Sequence, residues 1–318
     1  MSPAGPSAEA PDARRARLLA GAFGARPLAG AFGALVAATF GLITLGALVR
    51  AHGAGLACPD WPLCFGALVP RMDVKVAFEW THRLVAGGVG ATFFVLAAAA
   101  WRFSATRRLL VAAALLLAVQ VVLGALTVWH LLAAWTVTAH LVAANLFAVT
   151  LLLVCAQLAE QARPRPRRRA ACGAVRVLLP GAAALLALQV VLGGLVSSSY
   201  AGLACPEWPA CIDGEWLPAI GGNVRLHLLH RLNGYLLAAA LAAAAWAARR
   251  EPGLGGLAAL ALVLVLSQVA VGVANVLLGL PVEVTGLHSA LAALLVATLA
   301  LALRELGVRP GHVAAPRA

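Results

Sequence analysis

The chain has 318 residues, of which 62% are hydrophobic and 11% charged, and its mean hydropathy is +0.92. This composition excludes a soluble protein and indicates an integral membrane protein that lies in a lipid bilayer. The formal net charge of +12 does not indicate a nucleic-acid partner here, because the arginines cluster between apolar runs and therefore report on membrane topology.

Eight apolar runs follow the N-terminal tail, and each is about as long as a helix that crosses a hydrocarbon core. Backbone amides inside a bilayer must be hydrogen-bonded within their own segment, so each run is predicted to be an α-helix. In chain order, the predicted spans are 31–50, 82–101, 108–129, 135–155, 174–196, 228–248, 255–279 and 284–304. We expect residues 1–30 to form a disordered cytoplasmic tail and residues 305–318 to form a second cytoplasmic tail.

The distribution of basic residues predicts the orientation of the spans. If the N-terminus is cytoplasmic, 18 of the 24 Arg and Lys residues lie on the cytoplasmic side, in the two tails and in the loops after spans 2, 4 and 6. The positive-inside rule therefore places both termini in the cytoplasm. We expect a multi-pass protein of the cell inner (cytoplasmic) membrane.

An internal repeat divides the chain into halves. The segment LACPDWPLC at 56–64 returns as LACPEWPAC at 203–211, which is 147 residues later. Two histidines in the first half have counterparts 148 residues later in the second half: His82 corresponds to His230, and His140 corresponds to His288. This pattern predicts an all-α integral membrane fold, in which eight transmembrane helices form two tandem pseudo-symmetric four-helix bundles. The predicted bundles cover residues 31–159 and 174–304, and a cytoplasmic linker covers 160–173.

The repeated histidines are the strongest candidates for cofactor ligands. In each half they lie near the outer ends of the second and fourth spans, and therefore at a similar depth in the membrane. Two inward-facing histidines at one level of a four-helix bundle are a common way to hold a haem iron by its two axial positions. The alternative is that each histidine only hydrogen-bonds to a neighbouring helix.

The residues beside these histidines differ between the halves. Glu79 lies three residues before His82, on the same helical face, whereas the matching position of the second half holds His227. A carboxyl group one turn from an iron ligand could relay protons, or it could be a solvated acid at the membrane surface. Arg83 and Arg231 follow the two histidines, and they could pair with haem propionates or extend to the lipid head groups.

Two pairs of cysteines lie in outer loops. Cys58 and Cys64 are separated by five residues, as are Cys205 and Cys211, and each interval contains two prolines. An oxidising compartment and a short, stiff loop favour a local disulfide in each loop. A metal site and a catalytic thiol pair both fit the spacing less well.

The combination of these motifs resembles the haem A synthase family. The resemblance covers residues 31–304 and depends on Glu-Trp-Thr-His-Arg at 79–83, on the second-half segment at 227–231, on His140 and His288, and on the two cysteine loops. It implies an enzyme that oxidises a ring methyl of haem O to a formyl group through successive hydroxylations, for cytochrome oxidase biogenesis.

The resemblance also implies roles for individual residues. His230 and His288 would bind the iron of a resident haem b, whereas His82 and His140 would bind the iron of the substrate, haem O. Glu79 would be the functionally critical acid. Expected partners are haem O, haem O synthase, cytochrome oxidase assembly proteins and an electron donor that the sequence does not identify.

Two other functional classes use some of the same residues. A di-haem electron carrier would need the four histidines but no substrate chemistry, and the difference between Glu79 and His227 counts against it. A membrane thiol oxidoreductase would use the loop cysteines, but it normally has a closer spacing of its two thiols. Neither alternative accounts for both repeated motifs.

Overall fold

The structure is a computed structural model that describes residues 11–163, 171–218 and 221–307. Within these ranges the chain forms eight long α-helices and one short 3₁₀ turn at Ser104–Thr106. The helices are α1 (Pro11–Ala51), α2 (Val74–Ala100), α3 (Arg107–Trp129), α4 (Ala134–Ala162), α5 (Gly173–Ser198), α6 (Gly222–Ala248), α7 (Leu254–Leu277) and α8 (Val282–Gly307).

All eight helices contain a segment that is long and apolar enough to cross a membrane. These segments have 24 to 29 residues, which exceeds the roughly 20 residues that a hydrocarbon core requires. The predicted all-α membrane fold with eight spans is therefore confirmed, and the chain is a multi-pass membrane protein.

Helices α2 and α6 begin well before the predicted spans. α2 begins at Val74 rather than at residue 82, because the side chain of Asp73 accepts a hydrogen bond of 2.9 Å from the Val76 amide and caps the helix. α6 likewise begins at Gly222 rather than at residue 228. In both helices the first two turns contain charged or polar residues, so hydropathy alone placed the boundary too late.

The prediction of a disordered tail over residues 1–30 is wrong for residues 11–30, which form the first half of α1. This segment is rich in Ala, Leu and Arg, which favour helix, and it continues directly into an apolar span. Residues 1–10 and 308–318 lie outside the described residues. The predicted linker 160–173 is shorter than expected, since α4 continues to Ala162 and α5 begins at Gly173, and residues 164–170 are outside the described part.

The helices pack as two groups of four. In the first group (α1–α4), α1 packs against α2 and α4, and α3 packs against α4. In the second group (α5–α8), each helix packs against the next one, and α5 also contacts α8. Helices α2 and α4 therefore lie diagonally opposite each other, as do α6 and α8. The two groups meet where α1 contacts α8 and where α4 contacts α5 and α8.

The main apolar core of each group lies at one end only. We call the end that carries the two cysteine loops the disulfide end, and the opposite end the far end. At the far end of the first group, Phe32, Phe93, Leu110 and Leu151 are almost fully buried. At the far end of the second group the buried core comprises, among others, Leu179, Leu237, Leu241 and Leu299. The candidate histidines lie beyond both cores, towards the disulfide end.

Candidate functional site

The four candidate histidines lie on the diagonal helices of the two groups. His82 is on α2 and His140 on α4, each about two turns from the start of its helix. The two imidazoles are close enough to interact electrostatically, and the same is true of His230 on α6 and His288 on α8. Each group therefore brings its two histidines together, at the level at which the main core ends.

A glycine on the preceding helix contacts each of these imidazoles. A Cβ atom added to the glycine would lie only 3.1 to 3.3 Å from the imidazole Cε1 atom. The four contacts are Gly46 with His82, Gly124 with His140, Gly193 with His230, and Gly272 with His288. A methyl group at any of these positions would require the imidazole to shift by a few tenths of an ångström away from the neighbouring helix.

The nitrogen atoms of the imidazoles are largely free of partners. Nδ1 is buried without a hydrogen-bond partner in His82, His140, His230 and His288. The amide nitrogen of Gln120 donates to Nε2 of His140 over 3.1 Å, and Gln189 makes the corresponding contact with His230 over 3.4 Å. A buried imidazole that lacks strong partners is suited to coordinate a metal, and each group contains two such imidazoles. The residues present therefore fit a haem with two axial histidines.

The glycines and glutamines were not identified as site residues from the sequence. They form a motif, Gln-x-x-x-Gly, that occurs at 120–124, at 189–193 and at 268–272. The copies at 120 and 268 stand out as part of the half-length repeat, but the copy at 189 becomes visible only when the helices within one half are compared. In α1 the corresponding pair is Leu42 and Gly46, so the glycine is present and the glutamine is not.

The loops at the disulfide end have the same construction in both groups. The structure joins Cys58 to Cys64 and Cys205 to Cys211. Each loop continues into a tight turn with two residues of positive φ, the second of which is a glycine, Gly66 or Gly214. The turn closes between Cys64 and Ala67 in the first loop and between Ile212 and Glu215 in the second. The second loop therefore has one extra residue after its second cysteine. This residue explains why the offset between matching residues changes from 147 before the turn to 148 after it.

An acidic side chain caps each of these turns. The Asp60 carboxylate accepts hydrogen bonds from the amides of Phe65 (2.6 Å) and Gly66 (2.8 Å). The longer side chain of Glu207 does the same for Asp213 and Gly214 in the longer second loop. These bonds hold the pKa of Asp60 below its ordinary value of 3.8, and the amide of Gly66 has the largest effect.

Arg83 and Arg231 fix the loops to the helices. The guanidinium group of Arg83 donates to the carbonyl oxygens of Asp60 (2.7 Å), Leu63 (2.6 Å) and Cys58 (3.3 Å). Arg231 donates to three carbonyl oxygens of the second loop, those of Ala210, Cys205 and Glu207. The structure thus directs both arginines to loop carbonyls, which differs from the two partners considered from the sequence, haem propionates and lipid head groups.

Glu79 is buried under the first loop, with only 5% of its surface exposed. One carboxylate oxygen accepts a hydrogen bond of 2.8 Å from the Cys58 amide, and the other forms an ion pair of 2.6 Å with Arg83. The interpretation of Glu79 as a solvated acid at the membrane surface is therefore wrong. In the second group, the ring of His227 takes this place, 3.3 Å from both the Cys205 nitrogen and Nε of Arg231.

Two comparisons with known proteins, one with family models and one with individual proteins, agree with each other. A family model described as cytochrome oxidase assembly protein, COX15-CtaA, matches residues 31–77 and 71–300. Proteins named heme A synthase are similar over most of their length. The relative from Halalkalibacterium halodurans is 30% identical over 80% of this chain and 88% of its own. The relatives from Shewanella oneidensis and Methylobacterium sp. are 30% and 31% identical over 81% and 86% of this chain, and over 90% of their own chains.

Proposed function

Because this chain belongs to the COX15-CtaA family of cytochrome oxidase assembly proteins, we propose that it is a haem A synthase. The enzyme oxidises a ring methyl of haem O to a formyl group by successive hydroxylations. The observation that carries this proposal is the pairing of buried imidazoles on diagonal helices in each of the two helix groups, beside a carboxyl group in one group only.

The second group is the proposed site of a resident haem b, whose iron His230 and His288 would hold. When bound, haem b would supply one-electron transfer to the reacting site. The chain contributes Gly193 and Gly272, against which the two imidazoles pack, and the Gln189 amide, which donates to the His230 carbonyl oxygen over 3.1 Å. Gln189 also accepts a hydrogen bond of 2.7 Å from Asn233 and so links α5 to α6 beside this site.

The first group is the proposed site of the substrate, haem O, with His82 and His140 as iron ligands. The position of Gln189 is occupied here by Leu42, so His82 lacks the amide partner that His230 has. Each group thus has one histidine with a glutamine neighbour on the preceding helix. This is His140 with Gln120 of α3 in the first group, and His230 with Gln189 of α5 in the second.

Glu79 is the proposed proton-handling group. Each hydroxylation that is driven by an electron donor requires protons at the reacting site, and a buried carboxyl group one turn from His82 can relay them. The Cys58 amide and Arg83 orient this carboxylate. His227 gives the second group no carboxylate at the corresponding position, in keeping with a site that only transfers electrons.

The charge distribution supports a location in the cell inner membrane with both termini cytoplasmic. In this orientation the disulfide end faces the oxidising side, where the cysteine pairs 58–64 and 205–211 would remain bonded. The two helix groups would be tandem halves, over residues 31–159 and 174–304. The proposed partners are haem O synthase as the source of substrate, cytochrome oxidase assembly proteins as acceptors of the product, and an unidentified electron donor.

Pigment analysis tests the proposal directly. The chain is produced in cells that make haem O but lack their own haem A synthase, and the extracted haems are separated and identified by mass. We expect a new formyl haem, which disappears in the His82→Ala and His140→Ala variants. Intact haem b in the purified protein without any formyl haem would instead establish the electron carrier, which the names of the relatives do not favour.

A further inference from the structure

The two helix groups are open on different sides. In the first group, α1 packs closely along α4, whereas α2 and α3 make few contacts with each other. In the second group the relation is reversed, because α6 and α7 pack along each other and α5 and α8 make fewer contacts. We call the line along which α2 and α3 face each other the α2–α3 seam.

The two openings have different surroundings. Helix α4 of the first group packs against both α5 and α8, so it covers the opening between them. Neither α2 nor α3 makes extensive contact with any helix of the second group. In a membrane, the α2–α3 seam therefore faces lipid, whereas the site of His230 and His288 is closed on its lipid side by α6 and α7.

The side chains along the seam are small or apolar. Gly90 of α2 lies against Leu117 of α3, with 3.7 Å between its Cβ position and the leucine side chain. Gly87, about one turn nearer to the disulfide end and on the same face, has open space around its Cβ position. Phe94 continues this face and is 58% exposed. None of these residues carries a charge, and Gly87 is only five residues from His82.

The second group has a bulky residue where the first has Gly87. At an offset of 148 the matching residue is Tyr235, whose hydroxyl group accepts a hydrogen bond of 3.1 Å from Nε1 of Trp208 in the disulfide loop. The matching tryptophan of the first loop, Trp61, instead contacts Trp129 at the end of α3, with ring centroids 6.1 Å apart. A tyrosine that ties α6 to its loop is thus replaced by a glycine that leaves the edge of α2 open.

We propose that the α2–α3 seam is a lateral entrance through which a lipophilic porphyrin passes from the bilayer to His82 and His140. This inference rests on the proposed function, since it concerns the route of that substrate. Entry through the disulfide end would require displacement of the loop that Arg83 and Glu79 hold in place. An apolar molecule that is already dissolved in lipid reaches the seam without crossing this polar layer.

The test closes the seam with the side chain that the second group uses. The Gly87→Tyr variant is compared with Gly88→Tyr, which adds the same side chain to the neighbouring glycine. Gly88 also has open space around its Cβ position, but it lies about 100° further round the helix from the face that holds Gly87 and Gly90. Haem O is added to each purified protein in lipid nanodiscs, and binding at the first group is followed by absorption against the constant signal of resident haem b.

We expect Gly87→Tyr to bind haem O at least about tenfold more slowly than the unaltered protein, because the seam must first be forced open. Gly88→Tyr should bind at the original rate, and both variants should keep their full haem b content. Equal binding rates in Gly87→Tyr and the unaltered protein would overturn the proposal, and so would equal slowing in both variants. If Gly87→Tyr does not yield folded protein, Gly87→Leu is judged by the same criterion.

The failure of this inference is distinguishable from the failure of the proposed function. Slow binding in Gly87→Tyr, with no formyl haem from any of the proteins, supports the entrance and contradicts the synthase. Formyl haem from all of the proteins at equal rates, with equal binding rates, supports the synthase and contradicts the entrance.

Discussion

The disulfide ends of the two helix groups share one framework, and they differ in the residue one turn before the first histidine of each group. In both, a disulfide loop lies over a helix, an arginine donates to three loop carbonyls, and a side chain one turn before the histidine contacts the amide of the first cysteine. That side chain is Glu79 in the first group and His227 in the second. The repeated framework holds the loop, and the residue at this position determines whether a carboxylate lies one turn from the histidine.

The largest expected effect distinguishes the pair His230 and His288 from the pair His82 and His140. We expect His230→Ala and His288→Ala to abolish haem b binding, because each change removes one of the two axial ligands and neither group offers another histidine at that position. The low-spin haem spectrum of the purified protein provides the measurement. His82→Ala is the matched control and should retain haem b. Full six-coordinate haem b in both second-group variants would show that the roles of the groups are assigned wrongly.

The next largest effect is expected at Glu79, the residue that differs between the two groups. Glu79→Gln keeps the size of the side chain and an oxygen that can accept from the Cys58 amide, but it removes the charge and the exchangeable proton. We expect haem b to remain and formyl haem production to fall by about 10²–10⁴-fold, as is typical when one acid–base group is lost. The haems extracted from cells should stop at haem O or at a hydroxylated intermediate.

The control for Glu79→Gln is the same change at the matching site, His227→Gln. This change should alter the spectrum or the potential of haem b before it affects the yield of formyl haem. Formyl haem at the original rate from the Glu79→Gln protein would leave the carboxylate only its contacts with Cys58 and Arg83, and thus a role in holding the loop.

The eight-helix fold could be predicted from the sequence, and so could the correspondence of the histidines between the halves, because both depend on long-range regularities. Eight apolar runs define eight helices whatever their packing, and the repeat matches His82 to His230 and His140 to His288. The partners of Arg83 and the burial of Glu79 could not be predicted, since both depend on where an irregular loop folds back over α2. The contacts of Gly46 and Gly193 with imidazoles required knowledge of which helices are neighbours.

A smaller effect is expected at the glycines that contact the imidazoles in both groups. We expect Gly272→Ala to weaken haem b binding by about tenfold, or about 1.4 kcal/mol, because the new methyl group displaces the ring of His288. Titration of haem into the haem-free protein measures the affinity. Gly256→Ala, in the same helix but with open space around its Cβ position, should bind haem normally. Equal affinities in the two variants would contradict a positioning role for Gly272.

The smallest effect concerns the acidic caps of the two loops. The folded protein lowers the pKa of Asp60 below 3.8, so the charged carboxylate stabilises the turn at neutral pH. This stabilisation is complete above the ordinary pKa and is lost as the pH falls through the lowered value. The protection of the Phe65 and Gly66 amides against hydrogen exchange, measured relative to the intrinsic rate at each pH, should therefore stay constant down to about pH 4 and fall at lower pH. In Asp60→Asn the protection should be lower at neutral pH, and protection that does not change with pH in the unaltered protein would contradict this account.

The position of the two apolar cores has a consequence for biogenesis. Phe93 and Leu151 in the first group, and Leu237 and Leu299 in the second, are packed at the far end, several turns away from the histidines. The contacts that hold the helices together at that end do not involve a porphyrin. The newly made chain can therefore complete its membrane insertion and helix assembly as an apoprotein, and haem loading becomes a separate, later step that cells can time independently of translation.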